Sequence, residues 1–419
     1  MAQRGIREFD AKRMLARSLP HYLDGLAYKG EVVLVGPDTD VEEVVALNSW
    51  LLRKRLVIKP DQLFGKRGIH GLILLDVDWD AVKGYLAKNM GREVEIGGVI
   101  GNLTHFLIEP FVPHEGEYYV AIKSEYSGDA IYFSTEGGVS VEENWDRVLQ
   151  AQADIISGLD SGAISAIVPA DLGEERQKVI EFISALYRFY VDCGFVYLEI
   201  NPFTITDGTI MPLDMVAKLD DAEEFWCRER WLDLSFPEPF GRTPTLEESY
   251  IKDLDSKTGS SLKLTILNPA GRVWTMIAGG GASVIYADTI CDLGHSCDLA
   301  NYGEYSGDPN TEETYHYTAT ILDLMTRVRD PRGRILLIGG AIANFTDVAS
   351  TFKGIVMALR EYRDRLKESG VKIYVRRGGP NYEQGLKLMR SLGQELDIPI
   401  EVFGPEMHMT RIVPMALEG

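Results

Sequence analysis

Three prolines within nine residues, Phe236-Pro-Glu-Pro-Phe-Gly-Arg-Thr-Pro244, divide this chain. Proline fixes φ and removes a backbone donor, so such a run favours an extended connection over a helix or a central strand. The hydrophobic pattern changes across it. Beyond it, Ile335-Leu-Leu-Ile-Gly339, Val371-Lys-Ile-Tyr-Val375 and Ile400-Glu-Val-Phe403 are short apolar runs separated by helical stretches. Strand–helix alternation predicts an open, mostly parallel sheet with helices on both faces. A chain of 419 residues is also too long for one ordinary domain. The expected division is a first domain over 1–240, a linker over 241–260 and an α/β domain over 261–419.

Before the prolines the pattern is mixed. Residues 6 to 27 read as a helix with apolar and basic residues interleaved. Val32 to Val35 reads as a strand, with Asp38 or Thr39 capping a helix from Val41 to Ser49. Leu56-Val-Ile-Lys-Pro60 is a strand ending at its proline. Tyr118 to Ser124 and Ala130 to Ser134 read as a strand pair, and Glu174 to Asp192 as the longest periodic helix.

Tyr197-Leu-Glu-Ile-Asn-Pro202 and Ile210-Met-Pro-Leu-Asp214 carry the clearest chemistry. Each reads as a short strand, and the Asp207-Gly208 turn between them signals a hairpin. Glu199 and Asn201 are two apart and share a face. Folding back brings Asp214 alongside. Two carboxylates and an amide oxygen suit a hard cation such as magnesium, which keeps its other positions for water and nucleotide phosphates. Alternating acidic residues on an exposed strand face are the bland alternative.

Composition bounds the rest. With 45% hydrophobic and 25% charged residues the chain is globular. No 18-residue apolar stretch and no apolar signal core are present, so neither a membrane span nor export is expected. Four scattered cysteines without a CxxC fit a reducing cytoplasm. A net charge of −20 disfavours nucleic acid, because a phosphate backbone repels such a surface. Small anions in local basic pockets remain compatible with it.

Val57-Ile-Lys-Pro-Asp-Gln62, Lys66-Arg67-Gly68, Leu198-Glu-Ile-Asn-Pro-Phe203 and Gly339-Gly-Ala-Ile-Ala-Asn-Phe-Thr346 together resemble the ATP-citrate lyase family. The likeness spans nearly the whole chain and is closest to the N-terminal part of the fused animal form and to the smaller subunit of the two-subunit form. The first half also resembles the beta subunit of succinyl-CoA synthetase, an ATP-grasp protein. The resemblance implies an ATP-grasp domain of α+β lobes followed by a flavodoxin/Rossmann-like citrate-binding domain.

It also implies roles. Lys59 meets ATP phosphates, and Arg67 and Gly68 lie on a loop covering the nucleotide. Glu109, Pro110 and Val112 form a hinge near the adenine, and Glu117 accepts the ribose hydroxyls. Glu199, Asn201 and Asp214 hold Mg2+, while Asp255, Thr258 and Ser260 mark a second cation position. Gly307, Asn344, Thr346, Tyr362 and Arg377 hold citrate. From the residues alone each has a plainer alternative: an isolated Val-Lys-Pro is usually a solvent lysine closing a strand, and Asp253-Leu-Asp255 reads equally as a cap or a linker turn. Two glycine loops, Ala278-Gly-Gly-Gly-Ala-Ser283 and Gly339-Gly-Ala-Ile-Ala-Asn344, sit where strands give way to helices and free N–H groups attract carboxylates. Arg377 adds a guanidinium suited to bidentate carboxylate binding. Ala341 stands where the animal form tends to have serine.

In this family ATP phosphorylates an enzyme histidine, the phosphoryl group passes to citrate, and CoA captures the acyl group before cleavage to acetyl-CoA and oxaloacetate. None of the seven histidines here lies in the Gly-His-Ala-Gly setting of the phosphorylated residue, and His295 reads as structural. No segment resembles a CoA-binding or citrate synthase-like module. The expectation is therefore a cytoplasmic subunit that binds ATP, Mg2+ and citrate, with CoA bound mainly by a larger partner subunit. The alternatives are a beta subunit of a succinyl-CoA synthetase-like ligase, or a nucleotide-binding regulatory subunit.

Overall fold

Residues 3–23, 28–139, 141, 144–160, 162–206, 208–257 and 259–418 are described by the structure, a computed structural model. The chain forms two compact units, 1–243 and 244–419.

The first unit has two sheets that matter for function. Its opening helix, α1 (Glu8–Ser18), follows a strand at Gln3–Ile6 and gives way to a 3-10 turn at Leu19–His21. The continuous helix expected over 6–27 is thus shorter, because Pro20 has no N–H with which to continue it; residues 24–27 lie outside the described set. The helix at Val41–Leu47 is capped by Asp40, whose carboxylate accepts from Glu42 N at 2.9 Å, rather than by Asp38 or Thr39. The small sheet is antiparallel and ordered Val33–Val35, then β2 (Phe106–Pro110), then β1 (Leu56–Pro60), then Leu74–Val77.

The larger sheet contains β3 (Phe195–Thr206), which runs between Tyr118–Glu125 and Met215–Asp220 and also pairs with β4 (Thr209–Pro212). The hairpin expected from sequence therefore forms, in the register Phe203↔Pro212 to Thr206↔Thr209; its turn residue Asp207 lies outside the described set. Phe182, Leu186 and Phe189 of the helix Glu175–Asp192 pack with Leu198, Ile200 and Phe203 in a fully buried core.

The second unit carries four parallel strands ordered Val273–Ala278, β5 (Ile335–Gly340), β6 (Lys372–Arg376) and Ile400–Phe403. Period two divides its side chains between both faces: Trp274, Met276, Leu336 and Ile338 enter one core, and Val273, Ile277, Ile335 and Leu337 another. Helices cover both faces, as a parallel sheet requires. A separate two-stranded sheet pairs Ser261–Ile266 antiparallel with Asn301–Ser306. Residues 246–257, inside the stretch read as a linker, form a helix with Ile251 fully buried.

Candidate functional site

In the first unit the hairpin brings two of the proposed metal ligands together. Asn201 N donates to Asp214 O at 3.0 Å, so the residues lie side by side. Their side chains already have partners. Asn201 Oδ1 accepts from Gly138 N at 2.6 Å, and its amide donates to Gly138 O at 3.3 Å. Asp214 is ion-paired with Arg67, and Glu199 accepts from the Tyr197 hydroxyl. All three offer the oxygen donors magnesium prefers. Among the described residues no cluster of three or more His, Cys, Asp or Glu side chains is poised for a metal, so nucleotide phosphates and water would complete any such site.

Lys59 is not a solvent lysine: only 3% of it is exposed. Its ammonium is 2.7 Å from Glu8 Oε1, 3.0 Å from Glu109 Oε1 and 2.6 Å from Leu213 O. Lys12, fully buried on α1, touches the same three residues, at 2.7 Å to Glu8, 2.6 Å to Glu109 and 3.1 Å to Leu213 O. Arg67 donates to Pro60 O at 2.9 Å, lies 2.7 Å from Glu8 Oε2, and pairs with Asp214. Asp61 accepts from Glu8 N and Phe9 N, both at 2.9 Å.

These contacts set the charge states. Burial alone would raise the Glu8 carboxyl, but Lys12, Lys59 and Arg67 hold it far below its usual range. Burial would lower Lys12 and Arg67; Glu109 and Glu8 raise the former, Asp214 and Glu8 the latter. Asp61 is pushed up to about 6 by burial and by the neighbouring Glu8.

A cleft of about 820 Å³ opens beside the cluster. Lys59, Glu109, Pro110, Val112, Glu117 and Asp214 line it, with Val57, Ile73, Phe111 and Met211 supplying apolar walls. That volume and mixture suit a nucleotide-sized ligand. His114 lies between Val112 O at 2.7 Å and Glu117 Oε1 at 3.1 Å, which ties the proposed ribose acceptor to the hinge.

Arg67 is a buried member of the ion cluster, where Glu8 and Asp214 compensate its desolvation; Gly68 beside it is open, with only Ile73 near. Glu109 turns its carboxylate to Lys12 and Lys59, while it lines the cleft together with Pro110, Phe111 and Val112. Sequence reasoning missed Glu8, Lys12, Asp61 and Gly138. The available signal was the i, i+4 spacing of Glu8 and Lys12 on a helix whose Ala11 and Leu15 are apolar.

In the second unit, the loop 341–347 joins β5 to the helix α2 (Val348–Glu361), whose N-terminus is capped by Asp347 accepting from Ser350 N at 2.9 Å. This places the loop at the carboxyl end of a parallel strand and at a helix N-terminus, where anions are favoured. Ala343 N donates to Gly378 O at 2.9 Å, and Arg377 Nη1 to Ala341 O at 2.5 Å. Asp347 N reaches Asp308 Oδ1 at 3.3 Å, which brings the turn containing Gly307 (φ +72°) to the same loop. Gly307, Asn344, Thr346 and Arg377 therefore converge.

Tyr362 does not join them. It follows the last turn of α2, and 14 helical residues span about 20 Å, so it cannot reach a molecule at the helix start. Tyr362 instead lies with Tyr250, His316 and Asp323 in a separate hollow. The loop at 279–281 differs too: a Cβ at Gly280 would lie 2.9 Å from Glu304 Oε2, so the chain's own carboxylate already sits there. Asp255 is engaged by Leu262 N at 2.7 Å and Lys263 at 2.5 Å. Thr258 lies outside the described residues. His295 pairs with Asp298 at 3.0 Å.

Arg377 is 5% exposed, and among the described residues neither it nor Arg376 pairs with a carboxylate; both guanidinium groups donate to carbonyl oxygens. Burial lowers the pKa of Arg377, the sign of a cation without a compensating anion.

Comparisons with known proteins now bear on both units. Residues 2–231 match the family described as ATP-citrate synthase ATP-grasp domain, and residues 242–419 match ATP citrate lyase citrate-binding. ATP-citrate synthase alpha chain protein 2 from Oryza sativa subsp. japonica is 49% identical, over 100% of this chain and 99% of that one. ATP-citrate synthase from Bos taurus is 50% identical over 91% of this chain, which accounts for 35% of the cattle protein. The structure of ATP citrate lyase from Methanothrix soehngenii in complex with citrate and coenzyme A superposes with a TM-score of 0.93 at 66% identity, covering 100% of both chains.

Proposed function

The chain belongs to the ATP-citrate lyase family, and from that premise we propose that it is the ATP- and citrate-binding subunit of a two-subunit enzyme. With a larger partner it would convert citrate, ATP and CoA to acetyl-CoA, oxaloacetate, ADP and phosphate. The observation that carries this reading is Arg377, a buried guanidinium with no carboxylate partner among the described residues, beside a loop at a helix N-terminus. A citrate carboxylate would complete it. That the cattle relative carries this region as about a third of its length supports a partner holding the remaining modules.

In the first unit, Lys59 and Arg67 would offset negative charge on the phosphates, and Pro110 to Val112 would seat the base. Glu117 would accept the ribose hydroxyls. Asn201 and Asp214, with Glu199 beside them, would hold Mg2+, which neutralises charge on the transferring phosphoryl group. In the second unit, Asn344 and Thr346 would donate to citrate oxygens while Arg377 fixes one carboxylate. The phosphoryl acceptor would be a histidine of the partner, since His295 here is committed to Asp298. Activation matters because a free carboxylate resists thiol attack, whereas an acyl phosphate does not.

The test combines the purified chain with its partner. Labelled ATP is expected to phosphorylate the partner, Asp214→Ala to abolish that labelling, and CoA-dependent oxaloacetate release to need both chains. Complete cleavage by this chain alone overturns the two-subunit reading. Calorimetry against citrate and succinate checks the acid: equal affinity for both would favour a succinyl-CoA synthetase-like ligase.

A further inference from the structure

We propose that Glu8 is a positioning residue of the nucleotide site, a single buried carboxylate that brackets Lys59, which lines the cleft, and Arg67, which holds the cleft-lining Asp214. The inference rests on the nucleotide reading above. One carboxylate oxygen lies 2.7 Å from Lys59 Nζ; the other lies 2.7 Å from Arg67 Nη2, an ion pair by charge and distance without hydrogen-bond alignment. The two cations come from different places, a strand end and the loop after it, and Glu8 comes from the start of α1.

Glu8 itself has no freedom to move. Asp61, two residues past Lys59, takes the backbone N–H groups of both Glu8 and Phe9. The helix start is thereby clamped to the end of β1, and the side chain is only 2% exposed.

Lys12 explains how the bracket survives ligand binding. The three N–H donors of Lys59 are all spent, on Glu8, Glu109 and Leu213 O. A phosphate oxygen must replace one of them. The Glu109 contact, at 3.0 Å, is the longest, and Glu109 holds Lys12 at 2.6 Å through its other oxygen. Glu109 can therefore yield Lys59 without becoming an uncompensated buried anion. Lys12 lies away from the cleft, whereas Lys59 and Glu109 line it. Glu8 then keeps Lys59 in place while one donor turns to phosphate.

The competing role for Glu8 is neutralisation of Lys12 alone. Two variants of this chain, each assembled with the larger partner, separate the roles. Glu8→Asp keeps the charge Lys12 needs but withdraws the carboxylate by one methylene. Glu8→Gln with Lys12→Met removes both members of the pair, a change that buried ion pairs commonly tolerate. Positioning predicts that KM for ATP rises at least tenfold in both, with KM for citrate unchanged and the melting midpoint of the double variant near wild type. A wild-type KM for ATP in either variant overturns the proposal. Lys59→Met is the control: if it too leaves KM for ATP unchanged, the nucleotide reading itself fails, whereas an effect confined to Lys59→Met removes only the role of Glu8.

Discussion

The two units treat buried positive charge in opposite ways. In the first, Lys12, Lys59 and Arg67 are each within 2.7 Å of Glu8, and Glu109 and Asp214 complete the neutralisation. In the second, Arg334, Arg376 and Arg377 are at most 5% exposed and donate to carbonyl oxygens. Arg334 and Arg376 spread their donors over several carbonyls, Arg376 to Gly340 O, Met407 O and Pro405 O. Among the described residues Arg377 makes one such bond, to Ala341 O. A site meant for a metal–nucleotide complex can hold its cations ready with internal anions that trade partners. A site meant for a small polyacid can leave its cation short of charge and let the ligand supply it.

The largest effect that would break this comparison is on stability. Arg67→Met leaves Glu8 and Asp214 with an unmatched buried charge, and removal of one partner from such a pair costs about 3–5 kcal/mol. Arg377→Met strands no carboxylate and is expected to leave stability unchanged or raised. Hydrogen exchange read by mass spectrometry resolves the two units separately. Loss of protection in the second unit of Arg377→Met would mean that its charge is structurally compensated after all. The same variant should weaken citrate binding by about 2–5 kcal/mol, the usual result of truncating a buried charged hydrogen-bond partner, which is at least about thirtyfold in Kd.

Acid titration sharpens the comparison at intermediate size. Glu8 is held far below its ordinary 4.5, so its contribution is present above that value and lost as pH falls below it. Asp10 on the same helix runs the other way. Burial, with help from Asp61, pushes it up to about 6, and its Oδ2 has no hydrogen-bond partner among the described residues. Its contribution is present below its ordinary 3.8 and lost as pH rises through about 6. Asp10→Asn should therefore stabilise the first unit by about 1–2 kcal/mol at pH 7.5 and have little effect near pH 4. Denaturant midpoints at the two pH values check it. A loss at pH 7.5 would show that the ionised carboxylate is favourably held.

The parts legible in the sequence were those with local signatures. The hairpin at 195–212 announced itself by its turn and by the two-residue spacing of Glu199 and Asn201. The parallel sheet followed from strand–helix alternation. The ion cluster was not legible, because it joins residues 8, 12, 59, 67, 109 and 214, and charge along a helix ordinarily signals a solvated face. Only burial reveals that Glu8 and Lys12 face inward. Tyr362 failed for a related reason: proximity in sequence to the 344–346 loop hides the length of the helix between them.

The smallest effect concerns Ala341, whose carbonyl receives Arg377 while its side chain stays exposed on the loop. A hydroxyl there would add one donor to a site whose charge is set by Arg377. A neutral hydrogen bond contributes about 0.5–1.5 kcal/mol net, so Ala341→Ser should tighten citrate no more than about tenfold by calorimetry. The Arg377→Met loss should exceed that gain, and the two should not add simply, because both act on one carboxylate-binding loop. If Ala341→Ser rescued Arg377→Met fully, the buried charge would be dispensable and the contrast between the two units would lose its physical basis.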